Sequence, residues 1–337
     1  MNRRAFMAMP GAFAPLQKTG AVIRPKALKA GDTVGLITPA TYVSDPDALA
    51  TAERTLRYFG LEPKFGANVR RRNGYLGGTV QERVEDLHAM FRDLDVKGIF
   101  AIRGGYGSGQ LLDRIDYDLI RKNPKVFLGY SDITTLLIAI RQRAGLVTFH
   151  GPVVLSRFSD YTQNHFRKTL FNAEPVGVVT NPPESNTLRP VHTLRTIRPG
   201  KASGELIGGN LSLVAATMGT PYEVQTAGRI LFLEDVGEEP YSIDRMLTQL
   251  RLAGKLSAAA GVVFGECRNC QPRECGPSFE STLSVGEVLD SILGEIKVPV
   301  LTGLTIGHTD DQLTLPEGVQ ATLDADRGEL TIGQAVA

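Results

Sequence analysis

The chain has no tryptophan, only three cysteines and almost no net charge, and each shortage removes a class of protein. A small, odd cysteine count does not build the disulfide framework that staples small secreted domains. A formal net charge of +1 leaves no basic excess to pair with phosphates, and no Lys/Arg run is interleaved with aromatics, so no nucleic acid partner is expected. No apolar run approaches the roughly 20 residues that cross a bilayer, which argues against a transmembrane segment. What is left is a soluble chain of 337 residues, long enough to bury a large core and to divide into two domains.

The three cysteines, Cys267, Cys270 and Cys275, lie together in ECRNCQPRECGP. A closed zinc site needs four ligands and no histidine stands near in sequence, so the expectation is a loop with free thiols and no metal. Residues 1–22 also stand apart. Arg3-Arg4 with Phe6, and no acidic residue before Asp32, resemble a twin-arginine export signal, although Pro10 and Gly11 interrupt its apolar stretch and Pro15 follows Ala12-Phe13-Ala14. Export is the favoured expectation for this segment, and a disordered basic extension on a cytoplasmic protein is the alternative.

Hydrophobic periodicity gives an alternating first half. Strands are expected at Thr33–Ile37, Gly98–Ile102, Val126–Leu128 and Val147–Phe149, with helices at Asp47–Tyr58, Gln81–Leu94 and Asp132–Arg143. This βαβα order implies an α/β fold with a parallel sheet covered on both faces and functional loops at the carboxyl ends of its strands. Five prolines between Pro175 and Pro199 punctuate a polar stretch, which predicts a first domain at 23–172, a linker at 173–200 and a second domain at 201–337. In the second, strands are expected at Ile230–Leu233 and Gly261–Phe264, with a helix face marked by Ile243, Met246, Leu247 and Leu250.

The most informative segment is KVFLGYSDITTLLIAI at residues 125–140. A strand turns into a helix at Ser131, so its hydroxyl stands exposed while the helix N-terminus aims unpaired N–H groups at whatever forms there. That is the physics of a nucleophile elbow, with Ile133 where a second glycine would stand. A helix-capping role for Ser131 or Asp132 is the plainer alternative. A glycine-rich loop, AIRGGYGSGQLL at 101–112, follows another strand; it lacks the spacing of a nucleotide loop, but its glycines let backbone N–H groups approach a reacting atom. A serine nucleophile needs a base and an orienting acid. His88, His165 and His192 sit in helical or turn-rich surroundings, which leaves His150 in FHGP and His308 in GLTIGHTDDQLTLPEG. Glu234 and Asp235, closing the strand RILFLED, are the candidate acids.

With these segments assembled, the chain resembles the LD-carboxypeptidase family. The matching segments include LKAGDTVGLITPA, AIRGGYGSGQLLDRIDYDLI, FLGYSDITTLL, GELIGGNLSLVAATMGTPY, ILFLEDVGEEPYSIDRMLTQLRLAG and GLTIGHTDDQLTLPEG, in family order from about Ile23 to Gly318. The resemblance implies a flavodoxin-like N-terminal domain, a smaller β-rich C-terminal domain, and a Ser-Glu-His triad across their interface. It puts the nucleophile on Ser131, the acid on Glu234 and the base on His308, and makes His150 structural. It further implies a muropeptide substrate that loses a terminal D-alanine, with no cofactor. The backbone N–H groups of Asp132 and Gly105 would then form the oxyanion hole, and Arg103 or Arg245 would meet the substrate carboxylate. A homodimer is compatible with the sequence. Two alternatives stand beside this one. A sister branch of the family hydrolyses microcin-type peptidyl-nucleotides, which the lack of tryptophan disfavours; a non-catalytic peptidoglycan-fragment binder is disfavoured by the complete triad.

Overall fold

A computed structural model describes residues 22–184, 188 and 190–337. Arg3 and Arg4, on which the export expectation rests, lie outside the described residues. The first half alternates β1 (Thr33–Ile37), α1 (Pro46–Tyr58), β2 (Glu62–Phe65), α2 (Val80–Arg92), β3 (Val96–Ala101), α3 (Tyr117–Lys122), β4 (Val126–Gly129), α4 (Thr134–Ala144), β5 (Thr148–His150) and α5 (Asp160–Leu170). Local chemistry sets several helix starts. Asp45 caps α1 ahead of Pro46, Thr79 and Glu82 form a capping box on α2, and Ser159 caps α5. The strands β2-β1-β3-β4-β5 pair in parallel in that spatial order, the flavodoxin-like doubly wound arrangement. The order reverses between β1 and β3, so the crevice at their carboxyl ends is where this fold receives ligands.

The rest of the chain contributes β6 (Pro175–Val179), β7 (Arg195–Arg198), β8 (Lys201–Asn210), α6 (Leu211–Ala216), β9 (Ile230–Val236), α7 (Pro240–Leu252), α8 (Lys255–Ala258), β10 (Gly261–Arg268), α9 (Val285–Leu293), β11 (Val300–Leu304), β12 (Leu315–Glu317), β13 (Gln320–Asp324) and β14 (Glu329–Gln334). They build a mixed sheet in the order β6-β14-β13-β8-β9-β10-β11-β7, parallel from β8 to β11 and antiparallel at both flanks. The stretch 173–200, expected to be a linker, thus contains two strands. Both sit at the ends of the sheet, where polar residues and a proline in first position are tolerated, and this hides them from hydrophobic patterning. β12 leaves the second half and pairs antiparallel with β5, closing the edge of the first sheet.

The two halves share one apolar core. Phe100, Leu128 and Phe149 of the first sheet belong to the same buried cluster as Phe232, Val263 and Leu323 of the second. A second cluster packs Ile207, Leu231 and Phe264 under α7 and α9, and a third packs the opposite face of the first sheet under α2, α3 and α4. At the seam, buried Arg141 of α4 bonds Glu205 of β8 at 2.8 Å. Arg229 approaches the same carboxylate at 3.5 Å. Nearby Glu317 is wholly buried, and burial pushes its carboxyl well above the usual range.

Candidate active site

Tyr130 ends the approach from β4 in extended conformation, and Ser131 then adopts φ 61°, a left-handed backbone that non-glycine residues rarely take. A short 3₁₀ turn over Ser131–Ile133 leads into α4. The helix therefore starts at Thr134, after an irregular turn, and not at Asp132 as periodicity predicts. The departure from the elbow motif has a packing reason. Ile133 lies against Gly129, where an added Cβ would come within 2.6 Å of the isoleucine side chain, so the glycine before the serine makes room for the missing one after it.

Asp132 points away from the serine hydroxyl and fastens the glycine-rich loop. Its carboxylate accepts from the Ser108 N–H at 2.8 Å, and its carbonyl accepts from the Ser108 hydroxyl. Buried Arg83 of α2 completes this anchoring by donating to the Pro39 and Gly107 carbonyls at 2.9 Å each and to Gln110 at 2.7 Å. Burial lowers its pKa while the Asp132 carboxylate supports the charge. Sequence patterning missed Arg83 because an arginine on an amphipathic helix reads as surface. Gly104 lies against Ser131, with space for a Cβ only 3.0 Å from the serine Cβ, while Gly105 packs on Thr41. The peptide joining Gly104 to Gly105 is thus beside the serine.

Glu234 and Asp235 are consecutive residues of β9, so strand alternation sends them to opposite faces. Asp235 turns toward α6, accepting from Asn210 at 3.1 Å and from the backbone and hydroxyl of Ser212 at 2.9 and 2.8 Å; burial pushes its carboxyl up to about 6. Glu234, fully buried, turns the other way and its Oε2 meets His308 Nδ1 at 2.9 Å. His308 Nε2 lies 3.0 Å from Ser131 Oγ. The strand runs on to Val236, so Glu234 is within it and does not close it. Gly307, at φ +84°, lets the histidine loop cross the carboxylate, since a Cβ there would collide with Glu234.

The other histidine candidate is close but unconnected. His150 is wholly buried against Tyr130 and Phe232, neither ring nitrogen has a partner among the described residues, and burial pulls its pKa down to about 4. Tyr130 packs against both imidazoles, 4.8 Å from His308 and 6.2 Å from His150. The His308 loop is pinned by a cluster that sequence reading passed over. His192, taken from sequence as structural or exposed, contacts Glu266 at 2.6 Å and Asp311 at 3.4 Å, and Arg268 bonds Asp310 at 2.8 Å. Burial pulls the His192 pKa down, but its carboxylate neighbours outweigh that and leave it raised. Arg103 is exposed on the loop just before Gly104. Arg245 is exposed on α7 and contacts Tyr241 and Ser242 of its own helix. Among the described residues no three His, Cys, Asp or Glu side chains converge to hold a metal ion.

Two family models match the chain, the LD-carboxypeptidase N-terminal domain over residues 34–151 and the LD-carboxypeptidase C-terminal domain over residues 203–323. The chain belongs to the LD-carboxypeptidase family. Ser131 falls in the first matched region of this peptidase family, Glu234 and His308 in the second. The chain is 43% identical to a Bacillus subtilis (strain 168) protein named probable murein peptide carboxypeptidase, over 89% of this chain and 91% of the relative. The crystal structure of muramoyltetrapeptide carboxypeptidase from Oxalobacter formigenes matches with a TM-score of 0.77 at 31% identity, covering 90% of this chain and 100% of the other. A solved structure of the microcin self-immunity protein MccF with adenosine monophosphate matches with a TM-score of 0.83 at 28% identity, covering 94% and 100%. No helix among the described residues is long and apolar enough to cross a membrane.

Proposed function

We propose that this LD-carboxypeptidase family member is a serine hydrolase that removes the terminal D-alanine from muropeptide tetrapeptides, cutting the bond between an L-centre and a D-residue through an acyl-enzyme. The observation that carries the proposal is the continuous chain of contacts from Ser131 Oγ to His308 Nε2 and from His308 Nδ1 to Glu234 Oε2. In the acylation step His308 takes the Ser131 proton as the oxygen attacks the scissile carbonyl, then delivers it to the departing amine of D-alanine. Water repeats the sequence to release the shortened peptide. Glu234 fixes the imidazole tautomer and stabilises the imidazolium. The N–H groups of Asp132 and Gly105 stabilise the oxyanion, each such donor contributing about 2.7–4 kcal/mol to a transition state of this kind. Arg103, beside Gly104, is the arginine proposed to meet the D-alanine carboxylate, with Arg245 as the alternative.

The test is incubation with a defined diaminopimelyl or L-lysyl tetrapeptide, with mass spectrometry of the product. Loss of one alanine by the wild type and not by Ser131→Ala is expected. An intact tetrapeptide, beside cleavage of an aminoacyl sulfamoyl nucleoside, would move the assignment to the microcin-immunity branch; neither cleavage would favour a fragment binder.

A further inference from the structure

The serine site does not use the cysteines, yet two of them are placed together. Cys267 lies at the end of β10, and Asn269 then takes the left-handed conformation at φ 57°, which asparagine tolerates better than most residues. That reversal turns Cys270, three residues on, back toward Cys267. Both line a cavity of about 400 Å³, whose wall runs from buried Phe264 and Leu289 to exposed Gln271 and Ser284. Cys275 is exposed and outside it.

We propose that Cys267 and Cys270 form a redox-active dithiol, closed to an intramolecular disulfide by a hydroperoxide that enters through this cavity. The environments differ in the way the chemistry requires. Buried Cys270 is lowered by the Cys267 thiol and by the backbone N–H groups of Glu238 and Gly237, against the opposing effects of burial and the Asp235 carboxylate, which favours it as the attacking sulfur. Cys267 is raised well above the usual thiol range by its contact with Cys270 and by burial, so it stays protonated until needed. The Cys270 thiolate attacks the outer peroxide oxygen, the O–O bond breaks, and an alcohol or water leaves with a proton. The resulting sulfenic acid is attacked by Cys267; the S–S bond forms and water leaves, carrying the sulfenic hydroxyl and the Cys267 proton. Two electrons pass from the two thiols to the peroxide. Two thiols alone do not close a zinc site, and no third ligand group converges on them among the described residues.

The experiment treats the full chain with hydrogen peroxide and maps peptides without reduction. The expected result is a Cys267–Cys270 linked species about 2 Da lighter than the reduced protein, reversed by dithiothreitol. Free thiols counted after denaturation should fall from three to one. Cys275→Ser should leave the linkage intact. In Cys267→Ser the sulfenic acid should persist on Cys270 and be trapped by dimedone, whereas Cys270→Ser should show no trapped Cys267. A linkage of Cys270 to Cys275, intermolecular dimers alone, or oxidation confined to Cys275 would each overturn the proposal, and the wild-type map decides it even where a variant fails to fold.

Discussion

The first half of the molecule holds its candidate nucleophile, Ser131, on a strained backbone, whereas the second buries the two side chains that line up with it. Ser131 sits at φ 61° on a turn between strand and helix, in a conformation that an L-residue holds only where its surroundings over-determine it. Glu234 stands in a strand without a left-handed backbone, opposite a register shift in β10, but wholly out of water, and the His308 ring that spans between the halves keeps only 17% of its side chain exposed. Strain is a local property, written in a few consecutive residues. Desolvation is a property of the assembled fold, made by residues far apart in the chain.

The largest test of this contrast crosses the seam. Ser131→Ala and His308→Ala should each lower kcat by about 10⁴- to 10⁶-fold, and the double variant should be no worse than either, because members of such a unit do not contribute additively. Replacing His150 should leave kcat within about tenfold once folding is confirmed by circular dichroism, since its two ring nitrogens contact neither the serine nor the acid. A folded, active His308→Ala beside a folded, inactive His150→Ala would move the base into the first half and dissolve the division of labour.

The same contrast explains what could be read from the sequence. The strand–serine–helix junction and the glycine loop are legible because turn chemistry and periodicity act over a few residues. The flavodoxin-like order follows from the βαβ alternation, and only its edge strand, β12, comes from far along the chain. Spacing could not separate His308 from His150 or Glu234 from Asp235. The strand face separates the acids, and loop closure across 305–313, with the Leu313 N–H bonded to the Thr305 carbonyl at 2.9 Å, brings His308 to the serine. The resemblance to a family supplied those two choices. The edge strands β6 and β7 stayed hidden because edge positions lack the apolar alternation of central ones.

A smaller effect is the acid sensitivity that His150 confers. His150 has an ordinary value near 6.5 when unfolded and about 4 in the native protein. Below pH 6.5 the unfolded chain takes up a proton that the buried ring refuses, so stability present above that pH is lost progressively toward pH 4. The loss from this one group is roughly 3 kcal/mol. His150→Phe keeps a flat ring between Tyr130 and Phe232 without the titration. Urea unfolding across this range should show a shallower acid decline in the variant than in the wild type. Parallel declines would mean that His150 is hydrated in solution and that the second half's burial does not reach it. His165, also pulled down to about 4 by burial, is present in both proteins and cancels in the comparison.

The smallest effect tests the strain itself. Ser131→Ala and Ser131→Gly both remove the hydroxyl and should both be inactive, so activity cannot tell them apart, but only glycine adopts the left-handed backbone freely. Holding an alanine there costs about 1–2 kcal/mol, and the greater freedom of glycine in the unfolded chain takes back about 0.5–1 kcal/mol. The glycine variant should therefore be more stable than the alanine variant by about 0.5–1 kcal/mol, read as a higher denaturant midpoint at unchanged slope. The serine's own stability should lie near the alanine's, because its hydroxyl gains the His308 contact at 3.0 Å but remains half-exposed. An alanine variant as stable as the glycine one would show that the backbone relaxes at position 131 once the hydroxyl is gone. The strain would then depend on the histidine reaching across from the second half, and the two halves would share a single device for holding the nucleophile.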